Sequence, residues 1–377
     1  MRITAVHVAT LELALAEPFV IASAALTVGP CALVTVETDE GVVGIGEACP
    51  AWEFTGETLW TVADVITEKL APVCIGKDPF ASEAIVASWE RGLCTVGNQA
   101  ARAGLEMALW DLQGKALGRP LYDLVGGRSR ETIPEVFTLG WDEAEALGRK
   151  AGAMRAEGVT VFKVKVGDAP ERDEQRVAAV REAVGTAARL TVDANQGWEN
   201  AKTAIRAIKM LERYAVEFVE QPVRMDDLAA ARFVRGHVDS PIALDESVRG
   251  PREALACALA EACDIFVVKL MKTGGVLAAL KVNAIAEAAG IRVMIGNMGE
   301  SSVGLAAHFH LGLALANAGH CDADLPWRPT GLADDIGRGI RQEVIDDASL
   351  VSVSASSGLG IELIDESIVR QRAVRGW

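Results

Sequence analysis

Basic residues are missing from a long part of the sequence: neither lysine nor arginine occurs between Arg2 and Lys69. The whole chain carries 52 acidic against 37 basic residues, a net charge of −15. Such an acidic chain is poorly suited to bind nucleic acid or an anionic membrane. The sequence also lacks an apolar run of about 18 residues, the length that a membrane span needs, and shows no signal peptide. We therefore expect a cytoplasmic protein with neither a nucleic-acid nor a membrane partner.

Histidine is scarce and cysteine is irregularly spaced. The chain has five histidines and no HExxH or CxxC motif, which argues against a zinc site. Its seven cysteines are an odd number without paired spacing. They indicate small core residues in a reducing cytoplasm rather than a disulfide framework.

What the sequence does contain is a large apolar fraction. Of its 377 residues, half are hydrophobic and 36 are glycine, which is typical of a large core in two domains or in one barrel with additions. Residues 1–48 alternate as short strands, and residues 58–118 have helical periodicity that is clearest over 101–117. We expect residues 1–125 to form an α+β capping domain.

Beyond residue 126 the pattern changes to short strands that alternate with amphipathic helices. Eight such units in roughly 200 residues are typical of a TIM-type barrel. We expect an α/β fold with a (β/α)7β barrel over residues 126–325, and a segment 326–377 that returns to the capping domain. The predicted strands cover 133–139, 161–166, 190–193, 216–220, 242–245, 265–269, 292–295 and 320–322.

A polar residue closes seven consecutive strands of this repeat, at intervals of 24 to 28 residues. Active sites of such barrels lie at the C-terminal ends of the strands, and charged residues in phase with an apolar repeat are improbable by chance. The residues are Lys165, Asp193, Glu220, Asp245, Lys269, Asn297 and Asp322.

Three of these residues, Asp193, Glu220 and Asp245, follow consecutive strands and are expected to share one wall. Converging carboxylates repel unless a cation joins them, and oxygen ligands without histidine or cysteine favour a hard ion such as Mg²⁺. The alternative is a network of salt bridges among these same charges. Lys165 and Lys269 follow strands on opposite sides of the barrel, so they are expected to face each other.

Two opposed lysines beside a metal indicate proton transfer at carbon. A metal-bound carboxylate substrate has an acidified α-proton because the metal stabilises the enediolate that its removal leaves. A base on one face and an acid on the other can then invert the carbon. Lys163 shares a strand face with Lys165, and its charge is expected to lower the pKa of Lys165 towards neutrality.

These motifs resemble the enolase superfamily, in its muconate-lactonising-enzyme-like subgroup, over essentially the full length of the chain. Single motifs such as KxK or EQP are weak signals, but their combination is specific. The matching segments are Lys163-Val164-Lys165, Val192-Asp193-Ala194-Asn195-Gln196-Gly197-Trp198, Glu220-Gln221-Pro222, Asp245-Glu246-Ser247 and Lys269-Leu270-Met271-Lys272-Thr273-Gly274-Gly275.

The resemblance implies a role for each matched residue. It implies a single Mg²⁺ held by Asp193, Glu220 and Asp245, with Lys165 and Lys269 as the two acid/base catalysts. It further implies that two neighbouring side chains orient the metal ligands; these are Asn195 and Glu246.

We expect the substrate to be recognised by residues at the end of the last barrel strand and in two loops of the cap, 17–28 and 50–60. The sequence Asp322-Ala323-Asp324 resembles the DxD motif with which dipeptide epimerases hold a free α-ammonium group; the alternative is an ordinary turn. The first loop lacks the arginine that Ala-Glu epimerases carry, so a hydrophobic side chain is expected, although Glu53 and Glu57 leave a cationic one open. The expected substrate-binding residues are Asp322, Asp324, Met298, Thr138, Ile21, Ser23 and Phe54, with Trp52 and Phe54 as alternative members of the cap core.

These observations lead to a Mg²⁺-dependent dipeptide epimerase that inverts the α-carbon of the C-terminal residue. Within the same subgroup, the alternatives are an N-acylamino-acid racemase, an o-succinylbenzoate synthase and a muconate-type cycloisomerase. A non-catalytic metal-binding barrel is a more remote alternative, since a cation site needs neither lysine. The resemblance also implies a homo-oligomer.

Overall fold

The structure is a computed structural model that describes residues 1–22, 24–92 and 97–366. At the N-terminus, three strands pair in sequence order as an antiparallel sheet. They are β1 (Ile3–Val20), β2 (Ala25–Thr38) and β3 (Val43–Ala48).

The end of the β1–β2 hairpin differs from the loop expected over residues 17–28. The strands stay paired as far as Val20 and Ala25, with a register shift between Ala14 and Phe19. Only residues 21–24 connect the two strands, and the Ile21 N–H donates to the Ala24 carbonyl at 2.9 Å. The apolar residues of this segment suit a strand, so the expectation of a loop was wrong for most of it.

Helices of the N-terminal region pack against this sheet, and the longest of them, α5, is buried over most of its length. Its Asp111 is fully buried and accepts the Ile45 N–H at 2.8 Å and the Leu359 N–H at 2.7 Å. This carboxylate therefore joins the sheet, the helix and the C-terminal segment. The helices are α1 (Trp52–Thr55), α2 (Leu59–Val65), α3 (Ala71–Cys74), α4 (Ser82–Gly92), α5 (Gln99–Leu117) and α6 (Leu121–Leu124), with a π-helical turn at Ile66–Leu70.

The second region is a barrel in which, within the described ranges, eight parallel strands follow one another in sequence order. The Val136 N–H donates to the Ala323 carbonyl at 3.3 Å and brings the first and last strands together. The strands are β5 (Val136–Leu139), β6 (Val161–Lys165), β7 (Arg189–Asp193), β8 (Val219–Glu220), β9 (Ile242–Leu244), β10 (Ile265–Val268), β11 (Arg292–Ile295) and β12 (Ala318–Cys321).

Helices connect each pair of neighbouring strands, which confirms the predicted (β/α)7β barrel with a separate N-terminal domain. A single 3-10 turn, Glu212–Tyr214, precedes β8. The helices are α7 (Ala144–Ala156), α8 (Pro170–Val184), α9 (Ala201–Leu211), α10 (Leu228–Arg235), α11 (Pro251–Leu259), α12 (Leu270–Thr273), α13 (Val276–Ala289) and α14 (Ser302–Ala314).

Two predicted strands differ in extent. The strand expected over 133–139 is divided, because β4 (Ile133–Pro134) pairs with a C-terminal strand and the Glu135 N–H donates to the Ser349 carbonyl. Strand β8 begins at Val219 rather than at 216. Its start faces Pro241, which accepts a hydrogen bond from Val219 but has no N–H to donate in return.

The chain after the barrel contacts both regions. Ala16 donates to the Gly331 carbonyl at 2.9 Å, and Ala333 donates to Ala14 at 2.8 Å, so this segment lies beside the β1–β2 hairpin. The division of the chain at 125 and 325 stays a prediction. The C-terminal strands are β13 (Gly337–Arg338), β14 (Ile340–Ile345), β15 (Ala348–Val353) and β16 (Glu362–Leu363); β14, β15 and β4 form one sheet, and β13 pairs with β16.

Over the part of the chain that the structure describes, the helices fall short of the combined length and hydropathy that crossing a membrane requires.

The contact between β3 and α5 yields a stability prediction for Gly46. A Cβ on Gly46 would collide with the Gly104 carbonyl, so we expect Gly46→Ala to destabilise the fold by about 1–3 kcal/mol. In the control Gly152→Ala, the new methyl would lie 3.8 Å from Ala183 in the middle of α7, and alanine favours a helix. Calorimetry should show a lower melting temperature for Gly46→Ala alone; equal melting temperatures would contradict this packing.

Candidate functional site

A cleft of about 350 Å³ lies between the mouth of the barrel and the cap. Its floor contains side chains from the C-terminal ends of the barrel strands, among them Lys163, Lys165 and Lys269. Its roof is formed by the end of the β1–β2 hairpin and by α1. The cleft therefore lies where the sequence predicted the site.

Lys165, the last residue of β6, is paired in register with Asp193 of β7. Its ammonium lies 2.5 Å from Asp193 Oδ2 and donates to Asn195 Oδ1 at 3.1 Å. Asn195 in turn donates its side-chain amide to Glu246 Oε1 at 3.3 Å, and its backbone N–H to Asp193 Oδ1 at 2.9 Å. Its φ of 39° lies in the left-handed region, which asparagine tolerates better than most residues. Asn195 thus links the lysine to two carboxylates.

Lys269 follows β10, on the other side of the barrel from Lys165, with three strands between them in either direction. Its ammonium lies 2.8 Å from Asp245 Oδ2, and its side chain is 7% exposed. Burial lowers the pKa of Lys269, but the charges of Asp245 and Glu220 outweigh burial and raise it. Before a metal or substrate binds, this lysine is therefore held as a cation.

A further lysine, Lys272, contacts the same carboxylate. It lies on the short helix α12, with its ammonium 2.5 Å from Asp245 Oδ1, and it donates to the Val248 carbonyl at 3.1 Å and the Val267 carbonyl at 3.2 Å. Lys272 was not among the residues expected at the site. The available signal was its place in the segment Lys269-Leu270-Met271-Lys272, three residues after a predicted catalytic lysine.

Lys163 contacts different carboxylates from Lys165. Its ammonium lies 2.8 Å from Glu220 Oε2 and 2.7 Å from Asp322 Oδ2. Burial lowers the pKa of Lys163, but the charges of Asp322 and Glu220 raise it far more. Because two carboxylates balance this charge, the role of Lys163 in lowering the pKa of Lys165 stays a prediction.

The carboxylates on the barrel wall are buried among one another. Burial and the charge of Asp193 raise the pKa of Glu220 to about 8, and burial and the charge of Asp245 raise that of Glu246 to about 7. Burial would also raise the pKa of Asp245, but Lys269 and Lys272 lower it well below its usual range. The raised values are those expected where negative charge exceeds the positive charge nearby.

The donor set suits a hard divalent cation. Within the described ranges, the side-chain oxygens of Glu220 and Asp245 accept no hydrogen bond from a neutral donor; Lys163 pairs with Glu220 Oε2, and Lys269 and Lys272 pair with Asp245. In the same ranges no three acidic, histidine or cysteine side chains lie together as a ready set of metal ligands. If every group were ionised, four lysines would face six carboxylates and leave two positive charges wanting: Lys163, Lys165, Lys269, Lys272, Asp193, Glu220, Asp245, Glu246, Asp322 and Asp324.

Asp322 and Asp324 follow the last barrel strand and line the cleft. Asp324 accepts the backbone N–H and the hydroxyl of Thr138, both at 2.9 Å, and a longer bond of 3.4 Å from Asn297. Burial and the charge of Asp322 raise the pKa of Asp324 to about 6. Two carboxylates fixed side by side at a cleft wall form a strong site for a cation.

The cap contributes mainly apolar surface. Ile21, at the tip of the hairpin, is 5% exposed and lines the cleft, as does Met298 of the barrel. Trp52, 66% exposed, and the half-buried Phe54 also line it, so the alternative that both residues belong to the cap core was wrong. The predicted Ser23 lies outside the described residues.

Glu57, one of the two acidic residues expected near the substrate, binds a helix of the cap instead. The carboxylate of Glu57 is buried and accepts the N–H groups of Ala100 and Ala101 at 2.9 and 3.1 Å, at the N-terminus of α5. The expectation that Glu57 could attract a cationic side chain was therefore wrong, because this oxygen pair caps a helix. Glu53 does line the cleft.

Comparison with known proteins gives two family matches that together span most of the chain. Residues 3–126 match the mandelate racemase / muconate lactonizing enzyme N-terminal domain, and residues 146–367 match the enolase C-terminal domain-like family. The N-succinyl-L-Arg/Lys racemase of Bacillus cereus is 34% identical over 368 residues, covering 98% of this chain and 97% of that protein. The hydrophobic dipeptide epimerase of Enterococcus faecalis is 38% identical over 363 residues, covering 96% and 99%.

A crystal structure of the dipeptide epimerase of Enterococcus faecalis, complexed with Mg and the dipeptide L-Leu-L-Tyr, has the same fold. It superposes with a TM-score of 0.88 at 37% identity and covers 96% of this chain and 99% of that one. Sequence and fold agree, and the chain belongs to the enolase superfamily, in the mandelate racemase / muconate lactonizing enzyme family.

Proposed function

We propose that this protein is a Mg²⁺-dependent dipeptide epimerase that moves a proton to and from the α-carbon of the substrate's C-terminal residue. The observation that carries the proposal is the placement of Lys165 and Lys269 on opposite sides of one cleft that Asp322 and Asp324 also line. Proton removal from one face and return to the other requires two such groups. The name and the ligands of the Enterococcus faecalis relative support the same reaction.

Lys165 and Lys269 are the proposed acid and base, each acting on one face of the α-carbon. In the neutral form either lysine accepts the α-proton, and the opposite ammonium donates a proton to the other face. Asp193 and Asn195 orient the amine of Lys165, whereas Asp245 orients that of Lys269. Lys163 is held by Glu220 and Asp322, so its proposed part is to fix these two carboxylates and supply charge near Lys165.

Asp193, Glu220 and Asp245 are the proposed ligands of the metal. The side-chain oxygens of Glu220 and Asp245, which accept no hydrogen bond from a neutral donor, and the raised pKa of Glu220 support this assignment. A bound Mg²⁺ supplies positive charge that stabilises the anion formed when the α-proton leaves. Asn195 and Glu246 are proposed to orient this set, since Asn195 donates to both Asp193 and Glu246.

Asp322 and Asp324 are proposed to bind the free α-ammonium of the dipeptide. Lys163 occupies Asp322 Oδ2, and the Thr138 and Asn297 donors fix Asp324, so a cation can approach a rigid pair of carboxylates. Ile21, Met298 and Phe54 line the rest of the cleft and support a hydrophobic side chain in the substrate. The N-acylamino-acid racemase alternative is less well supported, because an acylated nitrogen brings no positive charge to this pair of carboxylates.

The cellular setting is also a proposal. The cysteines within the described ranges are free and buried, which supports a reducing cytoplasm. Exposed Phe233, Leu255 and Leu259 on two consecutive helices support a homo-oligomer, which light scattering would test.

Replacing either catalytic lysine should stop epimerisation. We expect Lys165→Ala and Lys269→Ala each to lower kcat by at least about 100-fold, the contribution of one general acid or base. Each variant should still exchange the α-proton of the one epimer that its remaining lysine deprotonates, as followed by NMR in D₂O. Lys281→Ala, at an exposed surface lysine, is the control, and unchanged turnover in either active-site variant would rule out the two-base mechanism.

The Asp324 carboxylate predicts a pH dependence. Its pKa of about 6 means that it is neutral below that pH, so kcat/KM for a dipeptide should fall as the pH drops through about 6. Asp324→Asn should raise KM by roughly 10- to 100-fold, the factor for a lost hydrogen bond to a buried charge, and should remove this acidic limb. An N-succinyl amino acid serves as the control substrate, and a variant with wild-type KM for dipeptides would exclude the ammonium site.

Metal removal gives a prediction that does not depend on turnover. Mg²⁺ should raise the melting temperature, because a ligand that binds only the native state stabilises it. Glu220→Gln keeps the size of the side chain but removes its charge, so it should abolish the rise in melting temperature with Mg²⁺, measured for each protein against its own metal-free value. An undiminished rise would remove Glu220 from the proposed ligands.

A further inference from the structure

We propose that Phe54 shields the ammonium of Lys269 from water, so that the two catalytic lysines exchange protons with solvent at different rates. The centre of the Phe54 ring lies 5.4 Å from Lys269 Nζ, within the range of a cation–π contact. The inference rests on the proposed epimerase function and assigns Phe54 a role beyond contacting the substrate.

The surroundings of Lys269 leave one side for the ring to cover. Asp245 holds the ammonium from one side at 2.8 Å. The aliphatic part of the side chain lies against Gly296, where an added Cβ would be 3.0 Å from Lys269 Cε. The remaining side faces the cleft, and Phe54 lies there.

Lys165 has different surroundings. Its ammonium contacts two oxygen acceptors, Asp193 Oδ2 and Asn195 Oδ1. Within the described ranges, an aromatic ring lies beside the ammonium of Lys269 but not beside that of Lys165. The two lysine side chains are almost equally buried, 9% and 7% exposed. What distinguishes them is the group that covers each ammonium, because an apolar ring offers no acceptor through which water could approach Lys269.

The helix that carries Phe54 is fastened at both ends. Before it, the Cys49 N–H contacts Met271 Sδ at 3.3 Å, which joins the chain to the helix that follows Lys269. After it, Gly56 turns the chain in the left-handed region with a φ of 69°, and Glu57 binds the N-terminus of α5. The position of Phe54 over the lysine is thus set by the cap.

Shielding has a consequence for the isotope content of the substrate. When Lys269 takes an α-proton, the C–H bond breaks, and the new N–H bond holds that proton on the ammonium. In D₂O the neutral amine already carries two deuterons. Return of the same proton therefore requires that water is excluded and that the ammonium, held by Asp245 at 2.8 Å, does not rotate before the transfer. The unreacted epimer deprotonated by Lys269 should then gain less solvent deuterium than the epimer deprotonated by Lys165.

The test compares the two epimers of one dipeptide in D₂O at low conversion. The Lys165→Ala variant identifies the epimer that Lys269 deprotonates. Mass spectrometry then gives the α-deuterium in unreacted substrate relative to that in product. Phe54→Ala should raise this ratio roughly two- to five-fold for the Lys269 epimer, the factor corresponding to an exposed cation–π contact, and leave it unchanged for the other.

Two variants are matched controls. Trp52→Ala removes an exposed ring from the same short helix and should have no effect on the ratio, and Phe54→Tyr keeps the ring and should preserve the wild-type ratio. Equal deuterium in both epimers of the wild type, no change in Phe54→Ala, or an equal change in Trp52→Ala would overturn the shielding role.

A second measurement requires no substrate. In the metal-loaded protein, a small amine-reactive reagent followed by peptide mapping reports how accessible each lysine is. Phe54→Ala should increase labelling of Lys269 relative to Lys165 by a similar factor, and constant relative labelling would overturn the inference. Increased labelling in a protein that exchanges no α-proton of any dipeptide would instead support the shielding and contradict the proposed function.

Discussion

Compensation of buried charge at the mouth of the barrel is the constraint on which the rest of the site depends. Carboxylates and lysines are brought together there with little contact with water, so each must be paired or must change its protonation state. Lys269 and Lys272 together hold Asp245 ionised, whereas Glu220, with one lysine and carboxylate neighbours, has a raised pKa of about 8. This imbalance makes the wall receptive to a divalent cation.

The cap completes the site with apolar surface and with buried carboxylates that bind the N-termini of helices. Glu57 caps α5, and Glu47 accepts the backbone N–H groups of Ser301 and Gly304, at 3.1 and 2.8 Å, at the N-terminus of α14 in the barrel. Such caps suit the positive end of a helix. The hairpin and α1 are thereby fixed above the lysines. Cap residues that determine substrate specificity can therefore vary without disturbing the charged residues at the barrel mouth.

The sequence predicted what is periodic and missed what depends on long-range contact. Strand ends recur at near-constant spacing, so the barrel and the residues at its mouth could be predicted. The pairing of Lys163 with Asp322, 159 residues away, could not, because alternation along a strand gives the face of a side chain but not its partner. Glu57 was misread for the same reason: an acidic residue in a loop gives no sign that a helix N-terminus lies within its reach.

The shared barrel chemistry also explains why overall similarity does not choose a substrate. A racemase of N-succinyl amino acids and a hydrophobic dipeptide epimerase are 34% and 38% identical to this chain, and both names describe inversion at carbon. The distinction must therefore arise where the substrate's nitrogen lies. An ammonium needs anionic partners and an amide does not, so the rigid placement of Asp324 by Thr138, next to Asp322, is the feature that favours a dipeptide.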